Sequence, residues 1–547
     1  MAVKSEHRRA IGANPNTVVD EDTWVRPSDW LALPTPTTHQ MVGLFAVYND
    51  DTQFLAFTAT STGGYTVDWG DGTIDNWAST TVASHTYNYS TLSSPVSSRG
   101  YKMAIVKVYP QSSTLTQLTL RQVNHPSRVS SNYSYNWLDI WLNTPSLTDL
   151  GLGSTAQQSS PKMLEQVRVD AWALTNFSNL FYFCNSLQSV ILANSSGTVT
   201  SCQSMFNGCV SLKTAPLFNT ANVLSFATMF NNCYSLRSVS LYNTSSGTSF
   251  SGMFQSCYSL KTVPLFNAAN ITTMANMFNT CTSLKTVPLF NTANVTSMTS
   301  MFSACIALET VPLFNTANVT DMSSMFNGCT SFRLVPLFNT VKVTNMGSMF
   351  ASCTSLQSTP SFDCTALTNA GSMFVACNAI NSIGTLNFNK VINGAYFAGV
   401  FTSDFQLSSA DITMPPFPQS LLNLKFSTTA LNSIFTNLVA NPSPATITSA
   451  TGTGTVQTYT TSSPHGFYQN SRVTITGLTP AGYNVTNVNI TTVPTTTSFT
   501  TPGATTTASS GTGTATIVNP VITVTGNPGA ATCTTSIATT KGWTVTI

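Results

Sequence analysis

LKTVPLFNTANVTSMTSMFSAC, residues 284–305, carries two apolar spacings side by side. Leu284, Val287 and Leu289 follow L-x-x-V-x-L, whose last three positions alternate as in a short strand with one buried face. Met298, Met301, Phe302 and Cys305 fall at i, i+3, i+4 and i+7, the spacing of one face of a short helix. The unit is therefore expected to run strand, turn, one or two helical turns, and back.

The same unit recurs on both sides. Met-Phe returns at Met205, Met229, Met253, Met277, Met301, Met325, Met349 and Met373, a constant spacing of 24 residues. Leu180-Phe181 with Cys184 is a weaker copy. The strand part extends further, through Leu115-Leu118-Leu120, Leu147-Leu150-Leu152, Leu164-Val167-Val169 and Leu187-Val190-Leu192, and again at Leu421-Leu424-Phe426. One unit cannot bury its apolar face alone, but stacked units bury it against each other. A period of 24 lies in the leucine-rich-repeat range. The expected fold class is mainly β, a leucine-rich-repeat solenoid over residues 112–446.

Composition narrows the function. Only 7% of the 547 residues are charged and the net charge is +2. A phosphate backbone needs a basic stripe to neutralise it, so nucleic-acid binding is not expected. Hydrophobic residues reach 42%, which argues against disorder. No apolar run is long enough for a membrane span. The first residues, MAVKSEHRRAIGANPNTVVDEDTW, have basic side chains without a following apolar run, so no secretory signal is expected. Cytoplasmic synthesis with a surface-type composition is reconciled by a virion component.

The flanks differ from the repeats. Residues 1–40, with Pro15, Pro27, Pro34, Pro36, Trp24 and Trp30, read as an extended arm that needs a partner to order it. Residues 41–111 alternate in short runs and read as a β-sandwich. Residues 447–516 are Thr/Gly-rich and read as a small β module inserted ahead of a capping rung at 517–547. Leu431, Ile434, Phe435 and Leu438 have helical spacing just before that insertion. Ala445-Thr446-Ile447 and Ala515-Thr516-Ile517 are expected to lie side by side where the chain leaves and returns.

Several columns carry chemistry. Nine cysteines, from Cys184 to Cys377, form a ladder whose neighbours come near disulfide distance. With no C-x2-C pair the zinc reading fails, and a buried, reduced column is favoured. Phe266, Phe290, Phe314 and Phe338 belong to an aromatic column: outward, it is a platform for sugar rings; inward, it is core, which is favoured. Lys261, Lys285 and Arg333 belong to a basic column interrupted by Glu309, either a contact for acidic glycans or, as favoured, a solvated edge. The Asn219–Asn339 column is expected to satisfy turn backbone from rung to rung. Asp68, Asp71 and Asp75 suit calcium or, more ordinarily, plain turns. The five histidines are scattered and no G-x-S-x-G, H-E-x-x-H or P-loop occurs, so neither an enzyme, a metal nor a cofactor is expected.

Two families are resembled. Tyr65-Thr66-Val67-Asp68-Trp69-Gly70-Asp71-Gly72-Thr73 followed by His85-Thr86-Tyr87 resembles the PKD domain, an immunoglobulin-like sandwich. Asn294-Val295-Thr296, Met298, Met301-Phe302, Cys305 and Leu308 resemble the BspA-like leucine-rich-repeat surface proteins, which implies a solenoid with a binding or adhesion role. Together with the Thr461–Phe467 stretch TSSPHGF, the combination is similar to tailed-phage virion proteins. The resemblance implies a non-enzymatic bacteriophage structural protein, an exposed fibre, spike or decoration component. Its partners are other virion proteins, through the arm and sandwich, and a host-surface glycan or protein. A bacterial surface adhesin and a capsid-cementing protein without a receptor role are the alternatives. The number of copies in the oligomer is left open.

Overall fold

A computed structural model describes residues 24–547 except 122, 124, 128–134, 155–159, 171, 194–198, 389, 392–398, 402–406, 415–418, 422–423 and 470. The fold is mainly β, a solenoid of about 15 turns. The chain forms two compact units, one of residues 1–173, 183–195 and 210–217, the other of 174–182, 196–209 and 218–547.

The first unit contains β1 (Gln40–Val47), β2 (Phe54–Ser61), β3 (Tyr65–Asp68), β4 (Ile74–Trp77), β5 (Val82–Thr86), β6 (Lys102–Pro110), β7 (Leu115–Thr119), β8 (Trp137–Asn143), β9 (Asp149–Gly151), β10 (Gln166–Val169) and β11 (Ser189–Leu192). They form two sheets, ordered β11-β10-β8-β1-β6-β3-β4 and β5-β2-β7-β9. Each sheet begins as an antiparallel sandwich and continues as parallel solenoid rungs. Gly43 of β1 faces Ile140 of β8 antiparallel, and Val167 of β10 faces Ile140 and Val190 in parallel. Ala59 of β2 likewise faces Leu118 of β7, whose other neighbour is Leu150 of β9. A break between residues 111 and 112 thus falls inside one hydrogen-bonded unit. The reason is physical: the first rung of a solenoid is an open sheet edge, and pairing it removes exposed N–H and C=O groups.

The arm expected at residues 1–40 is also partly built in. Trp30 is buried with Leu44, Ala46, Tyr101, Met103 and Leu138, and its Nε1 donates to the Tyr101 hydroxyl at 3.1 Å. Arg26 pairs with the buried Asp139 at 2.8 Å. Residues 24–39 therefore order against their own chain; residues 1–23 lie outside the described residues. Asp139 keeps a raised pKa because burial outweighs the guanidinium.

In the second unit the repeats depart from the expected helix. Met301 N–H donates to the Met298 carbonyl and Cys305 N–H to the Phe302 carbonyl, each at 3.0–3.1 Å. Ser300 and Ala304, third in these two four-residue turns, have φ of 53° and 58°. The alternate N–H groups of Met298, Ser300, Phe302 and Ala304 donate instead to Asp321, Ser323, Met325 and Asn327 of the next rung. Back-to-back turns put corner residues at i, i+3, i+4 and i+7, the spacing of a helical face. A helix would have kept those bonds within one rung; the turns spend half of them on the neighbour. The third position requires positive φ, which explains Gly208, Gly252 and Gly328 there.

The core is columnar. Phe278, Phe302 and Phe326 stack with centroids 5.7 Å apart and planes within 8°. Each cysteine from Cys209 to Cys377 along the ladder donates its thiol to a phenylalanine carbonyl of the previous rung, as Cys305 does to Phe278 at 3.1 Å. The buried hydroxyls of Thr292, Thr316 and Thr340 donate to carbonyls of the following rung at 2.7–2.8 Å.

The far end of this unit holds β12 (Ser358–Thr359), β13 (Ser382–Asn387), β14 (Ser409–Thr413), β15 (Gln419–Ser420) and α1 (Thr428–Asn437), capped by the Ser427 hydroxyl, which accepts from Ala430 N–H. A seven-stranded sheet follows, from β16 (Ala445–Gly452), β17 (Val456–Thr461), β18 (Arg472–Thr476), β19 (Val488–Asn489), β20 (Thr492–Thr495), β21 (Ser498–Pro502) and β22 (Gly513–Ile517). Ala445 pairs with Ala515 at its entrance and exit. Then β23 (Val521–Thr523) pairs in parallel with β15 on one side and with β24 (Thr544–Thr546) on the other, beside the short helix α2 (Ser536–Thr539). Asn527 ties these segments: its amide donates to the carbonyls of Leu421 and Val524 and its oxygen accepts from Phe426 N–H.

Candidate functional site

The segment Leu284–Phe290 builds the most distinctive surface. Pro264, Pro288, Pro312 and Pro336 stand in one column and offer no N–H, so no continuous ladder forms there. Leu284, Val287 and Phe290 point inward, a period of three, as in polyproline II strands that make no internal hydrogen bonds. Phe290 N–H then donates back to the Pro288 carbonyl at 3.0 Å, and Phe338 does the same to Pro336 at 2.9 Å. This three-residue turn leaves the leucine at its apex.

The expectation that Leu289 faces the core is thereby corrected. Leu241, Leu265, Leu289, Leu313 and Leu337 are 64, 58, 59, 58 and 64% exposed. Leu334 adds another exposed side chain at 67%. Phe266, Phe290, Phe314 and Phe338, offered as a sugar platform if outward, are only 1–2% exposed and lie in the core. Lys261, Lys285 and Arg333 are exposed, four residues before the leucines, with the exposed Glu309 between them. The basic column and the leucine line therefore share the outward side, and the aromatic column does not. Sequence reasoning missed the leucines because it applied a period of two; the prolines were the available signal.

The asparagine column works within each rung. Asn291 Oδ1 accepts from Ala293 N–H, and Asn315 Oδ1 from Ala317 N–H. Rung-to-rung bonding falls instead to Asn270, Asn294 and Asn318, whose amides donate to carbonyls 25 residues back.

In the first unit, the W-G-D-G-T turn is held by its own side chains. Trp69 Nε1 donates to Asp75 at 2.8 Å, His85 Nε2 lies 2.7 Å from Asp71, and Lys107 pairs with Asp68 at 2.9 Å. His85 stacks on Trp69 at 4.9 Å, and the Tyr87 hydroxyl donates to the Trp69 carbonyl. At Gly70, φ is 80° and a Cβ would meet the Ile105 backbone at 2.5 Å. These contacts give all three carboxylates a structural task. Hydrogen bonds from Thr73 and His85 outweigh burial and lower the Asp71 pKa. Among the described residues, no group of three or more His, Cys, Asp or Glu is placed to hold a metal ion. No helix among them is long and apolar enough to cross a membrane.

The repeats match a known family model. Residues 156–265, 248–334 and 309–406 match one described as "Mycoplasma protein of unknown function, DUF285". This block is thus similar to a BspA-like repeat family. No curated protein matches the chain. Among solved structures, the chain is similar to one titled "Crystal structure of TLR13-ssRNA13 complex", at 13% identity and a TM-score of 0.18, over 55% of this chain and 52% of that one. The chain spans about half the length of that structure.

Proposed function

We propose that this chain is a non-enzymatic structural protein of a tailed-phage virion, an exposed fibre, spike or decoration component whose solenoid attaches to the host surface. The observation that carries the attachment role is the leucine line, five apolar side chains exposed at one position of successive rungs. Such a line has no role in the core, and large exposed apolar surface marks interaction sites. The basic column beside it adds the charge that steers a partner. The virion setting is supported by the PKD-like turn at Trp69–Thr73, the solenoid, and the module containing TSSPHGF, found together. The arm's first 23 residues and the sandwich are its proposed attachments to other virion proteins. Mass spectrometry of density-purified particles tests the setting. The protein should band with the capsids, with copy number separating a tail device from a decoration protein. Recovery only in a bacterial envelope fraction would overturn it in favour of the cell-surface adhesin.

A further inference from the structure

We infer that the leucine line from Leu241 to Leu337 seats an extended, acidic polypeptide strand of the partner, running along the stack with an apolar side chain at every second residue. The inference rests on the attachment reading and names its partner.

Three observations choose the occupant. The first is chemistry: branched aliphatic side chains give a sugar ring no flat face to stack on, and the phenylalanines that have one are buried. The surface is also a line, one leucine per rung with Leu334 added beside Leu337, bordered by exposed Thr262, Thr286 and Thr310 and by Asn267, Asn291 and Asn315. A narrow apolar line between polar borders fits a single chain.

The second is charge. Lys261, Lys285 and Arg333 stand on the same side with only Glu309 opposing them. A second copy of this face would bring cations against cations, so the complementary partner is acidic.

The third is spacing. The phenylalanines next to the leucines in the chain repeat at 6.5 Å between Phe266 and Phe290 and 6.4 Å between Phe290 and Phe314. Alternate side chains of an extended strand repeat at about 6.6–6.8 Å. One turn of an α-helix advances about 5.4 Å. Across four rung steps a strand drifts by about 1 Å against the line, and a helix by about 4 Å. At the rung spacing of the phenylalanines beside the leucines, a strand stays closer to step than a helix does.

The test uses the full chain and two labelled peptides of identical composition, one alternating Leu and Glu, the other with its leucines at helical spacing, read by fluorescence anisotropy. The alternating peptide should bind at least tenfold tighter than the permuted one. Leu289→Asp with Leu313→Asp should weaken it at least tenfold, as should Lys261→Glu with Lys285→Glu, which leaves the apolar line intact. Equal or tighter binding of the helically spaced peptide overturns the strand. So does binding of neither peptide, binding indifferent to both double variants, or binding of phosphatidylglycerol vesicles in place of the peptides. Adsorption of the same variants to host cells separates the two readings. Lost adsorption without peptide binding sinks the strand alone; normal adsorption with lost peptide binding sinks the attachment role of this face.

Discussion

Phe302→Ala in a central rung sets the column packing against the turn geometry. Phe302 is fully buried, with Phe278 and Phe326 stacked 5.7 Å away on either side and Phe314 at 6.3 Å. Truncating a buried phenylalanine costs about 3–5 kcal/mol, transfer loss and cavity together. The lost stacking is part of that cost, since each aromatic pair contributes about 0.5–1.5 kcal/mol beyond area. The backbone cannot collapse into the gap, because Phe302 N–H is held by the Met325 carbonyl and its carbonyl by the Cys329 thiol. The loss therefore belongs in the upper part of the range. With a transition slope of about 3 kcal/mol/M, urea unfolding should shift by about 1.3–1.7 M. Leu289→Ala in the same rung is the internal control, for that side chain is 59% exposed at a turn apex. It should change stability by less than about 0.5 kcal/mol. Equal effects of the two substitutions would refute the inward–outward assignment of the rung. A Phe302→Ala effect below about 1 kcal/mol would refute the column.

Three further outcomes follow from other contacts. Thiol titration of denatured, unreduced protein should find all 12 cysteines free, while native Cys305 and Cys329, pushed respectively well above the usual thiol range and to about 12 by burial, should resist alkylation at pH 8. His465 in the small β module has a pKa lowered by burial, with its Nε2 unpartnered. The unfolded chain takes up that proton first, so stability should fall as pH drops below about 6.5, by at most about 1.4 kcal/mol per pH unit, and His465→Gln should flatten that slope in thermal melts. Asn527→Ala removes three hydrogen bonds, two of which join segments about a hundred residues apart, and should cost about 2–4 kcal/mol by urea unfolding; an unchanged midpoint would show that the cap holds without them.

The 24-residue period and the buried Met, Phe and Cys columns were legible from spacing alone, because identical rungs must bury identical positions. The path of the backbone between those positions was not. The pattern i, i+3, i+4, i+7 occurs twice with different outcomes: residues 431–437 belong to a helix capped by Ser427 and closed by Leu438, whereas residues 298–305 form two turns. What separates them is the next rung, whose carbonyls compete for the N–H groups, and a local spacing rule has no term for a neighbour 24 residues away. The outward leucines were missed for a related reason. A period of two presumes a hydrogen-bonded strand, and the proline column removes its donors. The basic residues of the candidate face were readable; their apolar companions were visible only once the turn at Pro288–Phe290 had been placed. The joining of the sandwich to the first rungs was hidden too, since strand partners across β1 and β8 leave no periodic trace.

The 24-residue bond register gives the repeat block the property of a ruler. Because donors and acceptors of a rung sit at fixed offsets from those of its neighbours, one whole unit can be duplicated or lost without any surviving bond changing type. Each such event lengthens or shortens the leucine line by one notch and leaves the strands at the ends of the block facing the same kind of rung as before. In the proposed attachment role, recombination between near-identical repeats would tune the grip of this surface in steps, and a lineage would match a partner of new length without inventing a new contact.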